Sequence, residues 1–155
     1  MARERNLLTP TLLGVMAGAR SQSVFAFVAW QRLDRRVGSR LGRTAATFAA
    51  LGEAVGDKTP WVPDRTGRGP LFGRVLFGAL GGIAVARHEG ARALPAAVVG
   101  GAAAAVSTFV LHRTRRWLGR HTPLPDLAWA LVEDGGVAAL AVTAGRSLRD
   151  HQRKG

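Results

Sequence analysis

The feature that most limits the fold is the separation of charge from apolar sequence. Nearly charge-free runs of Ala, Gly, Val and Leu alternate with blocks of arginine along the chain. A water-facing helix spreads its polar residues at the 3.6-residue period, so that one stripe is apolar and the other solvated. Here whole stretches are apolar, and the charge lies between them. Two classes suit this arrangement. One is an integral membrane protein with arginines at the headgroups; the other is a basic helical protein whose arginines meet phosphates. Patterning favours the first: there is no aromatic-rich RNA-binding strand, zinc-finger spacing or heptad repeat.

Composition sharpens this. The chain has 155 residues, 22 Lys+Arg against 10 Asp+Glu, and a formal charge of +12. Lys58 and Lys154 are its only lysines. The length suits one domain, read as a helical membrane domain over 7–146 with a basic polar tail over 147–155. With no cysteine, a disulfide scaffold or thiolate metal site is excluded.

The expected fold class is all-α, a polytopic membrane bundle of about five apolar helices, some short or broken. The first segment, Leu7–Trp30, is about 36 Å long as a helix, enough for a bilayer core of about 30 Å. It carries Gly14-x-x-x-Gly18, and Arg20, Ser21, Gln22 and Ser23 interrupt it. Its start loosely resembles a signal peptide, but Thr9-Pro10 breaks the apolar region, and the reading keeps the segment in place. The second, Thr44–Gly56, reaches only about 20 Å and the third, Leu71–Ala86, about 24 Å, which calls for a thinned bilayer or a snorkelling Arg74. The third also carries Gly78-x-x-x-Gly82. Such spacing brings helices into close contact and suggests a homo-oligomer. The fourth segment, Ala93–Leu111, spans about 28 Å without formal charge and runs into His112-Arg113-Thr114-Arg115-Arg116-Trp117, a basic and aromatic anchor. Thr122–Asp126 is a break. The fifth, Leu127–Gly145, holds Glu133-Asp134. A faint internal repeat relates 18–25 to 101–109. Full crossing by all five segments would put nearly equal basic charge on both faces, so orientation stays open.

The candidate site is a set of charges inside apolar sequence. Glu53 and Asp57 share a helix face, followed by Lys58 and the helix-stopping Pro60. Glu133 and Asp134 recur in the fifth segment. Translocon scales put an Asp or Lys at a helix centre at about +2.5 to +3.5 kcal/mol, so such groups face a bundle interior or water and often mark function. The bland alternative is a structural ion-pair network, or an interfacial place for Asp57 and Lys58. Arg20 is expected to neutralise the acids, bringing Arg20, Glu53 and Glu133 near one another. Ser21, Gln22, Ser23, Ser107 and Thr108 either line a path or join helices. His88 and His112 are proton-shuttle candidates beside arginines, where a surface role is the simpler reading. No Walker loop, HExxH or GxSxG is present, so neither an enzyme nor a cofactor is expected. Four carboxylates without a paired His motif are a weak metal signal, and no metal is assigned.

These residues carry a family resemblance. Gly18-x-Arg20, Glu53-x-x-x-Asp57-Lys58-x-Pro60, the Gly/Ala-rich helix ending near His112, and Leu131-Val132-Glu133-Asp134 resemble the uncharacterised bacterial membrane family known as domain of unknown function 4126, over about 13–144. This copy departs from that pattern in lacking a final apolar helix and in its short, arginine-filled first loop. The resemblance implies a multi-span helical membrane protein and no established activity. The expectation is therefore a small multi-pass protein of the cell membrane, partnered by the lipid bilayer and not by nucleic acid. Its candidate role is passage of an ion, a proton or a small solute. The alternatives are a membrane scaffold without transport, or a soluble nucleic-acid binder.

Overall fold

A computed structural model describes residues 7–34, 37–56, 68–122 and 126–154; within these, the side chains of 51–56, 68–69, 126–127, 152 and 154 fall outside the description. The described residues form six helices and no strand: α1 Leu8–Ala19, α2 Ser21–Trp30, α3 Arg40–Gly56, α4 Arg68–His88, α5 Ala93–His121 and α6 Asp126–Lys154. Two of them, over Pro70–His88 and Ala93–His121, are long and apolar enough to cross a membrane.

The sixth helix arises because the first apolar segment does not run through. Arg20 is extended, with φ −145° and ψ 109°, and separates a helix of 12 residues from one of 10. That overturns the expectation of one spanning helix over 7–30. The two pieces fold back on each other. Thr9 Oγ1 donates to Ser147 Oγ at 3.0 Å, while Arg20 pairs with Asp134, so α1 runs antiparallel to α6. From Arg20 the chain returns beside α6, and Gln31 reaches Gly145. Leu13 of α1 and Val24 of α2 also sit together over Gly81 of α4. The result is a helical hairpin with Arg20 at its tip.

Missing side chains set the packing. A Cβ on Gly78 would stand 2.5 Å from Gly100 O and 2.8 Å from the Ala104 methyl, so α4 and α5 meet nearly backbone to backbone. On α1, a Cβ at Gly18 would stand 2.8 Å from Ala104 O, and Gly14 lies over Gly100 and Ala103. Both Gly-x-x-x-Gly faces are therefore used inside the chain. The α4–α5 turn is closed by Gly90 at φ +68°. Its N–H meets Arg87 O at 3.3 Å, and Ala91 N–H meets Ala86 O at 2.7 Å. This left-handed cap satisfies carbonyls that the helix end leaves free.

The core is small and slender: Leu13, Met16, Val24, Phe27 and Val85 pack among alanines and glycines. The larger apolar side chains point out. Phe72, Leu76 and Leu80 make one exposed row on α4, and Leu94, Val98, Val106 and Val110 make another on α5. Two helices run further than the apolar segments. The basic stretch after Leu111 continues α5 to His121, and the expected polar tail continues α6 to Lys154. The proposed repeat finds no structural echo, since 18–25 contains the hairpin tip and 101–109 is uninterrupted helix.

Gly100→Ala should destabilise the protein by about 1–3 kcal/mol through overpacking. Gly135→Ala, where nothing lies within 4 Å, should stabilise it by about 0.5–1 kcal/mol through helix entropy. Thermal unfolding of both variants in detergent checks the opposite signs, and equal shifts would contradict the close α4–α5 contact.

Candidate functional site at the tip of the helical hairpin

Breaking a helix leaves carbonyls without partners, and inside a protein each must find one. At the end of α1 the Arg20 N–H takes Met16 O at 2.8 Å. Arg74 Nη1 donates to Gly18 O and to Ala19 O, the latter at 3.1 Å. Thr108 Oγ1 bonds Ala104 O at 2.7 Å and lies 3.4 Å from Gly18 O. A guanidinium suits this place, because the carbonyl end of a helix carries partial negative charge. Arg74 is 5% exposed. It is therefore not the snorkelling residue expected from its sequence context; it holds the hairpin tip to α4.

Arg20 itself turns towards α6. Its Nε donates to Asp134 Oδ1 at 2.6 Å, and Nη2 meets the same oxygen. The Arg20 side chain is 5% exposed and that of Asp134 30%, so the pair is shut in on the arginine side and open on the carboxylate side. Adjacent residues on a helix point in different directions, and Glu133 goes elsewhere: it accepts from Arg115 Nη1 of α5 at 3.3 Å. The two neighbouring acids thus serve two ion pairs instead of one acid cluster.

The other expected site residues divide accordingly. Glu53 lies on α3, one turn beyond Ala50, with its side chain outside the description; Asp57 and Lys58 lie outside the described residues. Ser21 and Ser23 are half-buried at the start of α2. Buried Ser107 donates to Ala104 O at 3.2 Å and packs against Gly18, which makes it a helix-joining hydroxyl. His112 is half-buried within α5, and His88 is exposed at the end of α4. Among the described residues no three His, Asp, Glu or Cys side chains gather as metal ligands do.

A groove of about 600 Å³ leads to the tip between α2, α3 and α6. Arg20, Ser23 and Asp134 line one end, Phe27, Val137 and Ala141 form apolar walls, and Gln31 and Arg149 stand at the other end. Along α6 it extends from Asp134 to Arg149, about 22 Å at the helical rise. Its volume lies within the range of about 300–1,000 Å³ usual for small-molecule sites. A second cleft of about 240 Å³ separates α1, α5 and α6, with the Arg115–Glu133 pair at its margin and apolar residues such as Val15 and Leu140 around it. Arg74, Gln31 and Arg149 are site residues that the sequence did not single out as such, whereas Thr108 was among its candidate hydroxyls and here joins helices. A lone arginine within Leu71–Ala86 was the available signal for Arg74.

Asp134→Asn should destabilise the fold by about 3 kcal/mol, because it leaves the Arg20 charge buried without its carboxylate. Glu133→Gln, which breaks a longer and partly open pair, should cost about 1 kcal/mol. Arg20→Met with Asp134→Leu should recover most of the first loss. Denaturation of all three variants tests the ranking; equal costs for the two single variants would mean that Arg20–Asp134 does not anchor the tip. No family model, curated protein or solved structure matches this chain.

Proposed function

We propose that this chain is a small multi-pass integral membrane protein. In this reading the groove ending at Arg20–Asp134 provides passage for an ion, a proton or a small solute. Support for the bilayer comes from the inverted arrangement of side chains. Glycine, alanine and hydroxyl groups occupy the contacts among α1, α4 and α5, while leucine, valine and phenylalanine rows on α4 and α5 point outward. Contiguous apolar surface of that extent is unusual on a soluble monomer. In hydrocarbon it has a suitable solvent, and small residues let helices pack without help from water. The two candidate spans support the same reading.

The observation that carries the passage reading is the hairpin tip. Non-helical backbone at membrane depth is tolerated where it is buried in protein or lines a cavity. Broken helices near the bilayer centre are a recurring way to build transport sites. Here the break coincides with an ion pair at one end of a groove, and charges at membrane depth usually mark a pathway. A scaffold without transport is the second reading. It is favoured by the pairing of Arg20 with Asp134 and of Arg115 with Glu133, which makes the charges a structural network.

Two measurements separate these readings. Carbonate washing should leave the protein in the membrane until detergent is added; release by carbonate would end the membrane reading. Purified protein in dye-loaded proteoliposomes should then be tested for proton and ion flux, with Ala141→Phe as the key variant. Ala141 lines the groove without touching either ion pair, so a bulky side chain there should reduce flux to that of empty vesicles while the thermal midpoint stays near wild type. Flux unaffected by Ala141→Phe, or absent from the wild type under every gradient tried, would favour the scaffold.

A further inference from the structure

The surface around α3 has a division of labour that neither the hairpin nor the groove uses. α3 packs on α2 through one face: Ala46 is buried, Thr47 Oγ1 accepts from Trp30 Nε1 at 3.2 Å, and the Arg43 guanidinium lies 5.5 Å from the centre of the Trp30 ring. The opposite face carries Leu41, Ala45 and Phe48, spaced as one helical stripe. Leu41 is 80% exposed and Phe48 70% exposed. A helix whose outer face met water would be polar there.

Charge is concentrated around the first turn of the same helix. Arg40 is exposed beside Leu41, Arg43 stacks on half-open Trp30, and Arg32 lies exposed in the preceding turn. The first turn of α3 contains no acidic residue. The nearby Asp34 accepts from Val37 N–H at 3.1 Å, which commits one of its oxygens to the turn. Tryptophan favours the headgroup level of a bilayer, with its ring in the apolar layer and its N–H in the polar one. A guanidinium stacked on an aromatic face still presents the N–H groups along its edge, and these match phosphate oxygens two at a time.

We infer that Trp30, Arg40 and Arg43, with the Leu41–Phe48 stripe, form a docking surface for anionic phospholipid. The phosphate-bearing headgroup meets the two arginines beside the Trp30 ring, and the acyl chains lie along Leu41, Ala45 and Phe48. This inference rests on the membrane reading and adds a lipid preference to it. It concerns the outside of α3 and requires no passage through the groove.

The test uses the full chain with Trp61, Trp117 and Trp129 replaced by Phe, so that Trp30 alone fluoresces. The protein is placed in vesicles of phosphatidylcholine containing equal fractions of brominated phosphatidylglycerol or brominated phosphatidylcholine. Quenching should be stronger with the brominated anionic lipid. The preference should fall about threefold to fivefold with each of Arg40→Gln and Arg43→Gln, and it should weaken in 1 M salt. Arg113→Gln with Arg116→Gln, on the far part of α5, should leave it unchanged. Equal quenching by the two lipids, or a preference that survives Arg40→Gln/Arg43→Gln, would overturn the docking surface while leaving the membrane reading intact. Absence of quenching by either lipid would overturn both at this face.

Discussion

The structure depends on satisfying backbone that a broken helix leaves without partners. At the hairpin tip α1 ends in an apolar interior, where an unpaired carbonyl is expensive. Arg74 supplies the donors for Gly18 and Ala19, and Arg20, the residue that turns the chain, is held by Asp134. Each of these charges is tolerable because of the other chain segment it meets. Arg74 lies on α4 and Asp134 on α6, so the tip ties together elements from both halves of the chain.

Close helix packing makes that arrangement possible. Arg74 reaches the Gly18 and Ala19 carbonyls because Gly14 and Gly18 let α1 lie against α5, while Gly78 and Gly82 let α4 do the same from its own side. A methyl group at these positions would push α1 outward and lengthen the contacts at its end. The small interior also explains the surface: with so little volume inside, Phe72, Leu76, Val98 and Phe109 have no interior place to go and remain on the outside. Interior and exterior are thus two consequences of the same choice of glycine and alanine at the helix contacts. The larger apolar side chains supply the outward rows on which the membrane reading rests.

Much of the helical content was legible in the sequence, because long Ala/Val/Leu runs are local signals. The importance of Arg20 and Asp134 was legible for the same reason, since charge inside apolar sequence calls for a partner. The partner was not. Adjacent acids in Glu133-Asp134 read as one cluster, whereas successive residues on α6 face different neighbours and find Arg115 and Arg20 separately. Arg74 was misplaced because a flexible side chain near a segment end has two solutions, reaching out to the headgroups or in to bare carbonyls. Sequence spacing does not distinguish them.

By itself the sequence determined the helical class, the glycine spacing that permits close contact, and the need for charge compensation within apolar stretches. All of these follow from local propensity, periodicity and desolvation, which neighbouring residues are enough to specify. Only the tertiary structure decided that 8–30 folds into a hairpin instead of a single rod, that the Gly-x-x-x-Gly faces meet within the chain, and that Asp134 meets Arg20 while Glu133 meets Arg115. Those outcomes depend on which distant carbonyl or carboxylate lies within reach once α1, α4, α5 and α6 have packed. A linear pattern contains no measure of that distance.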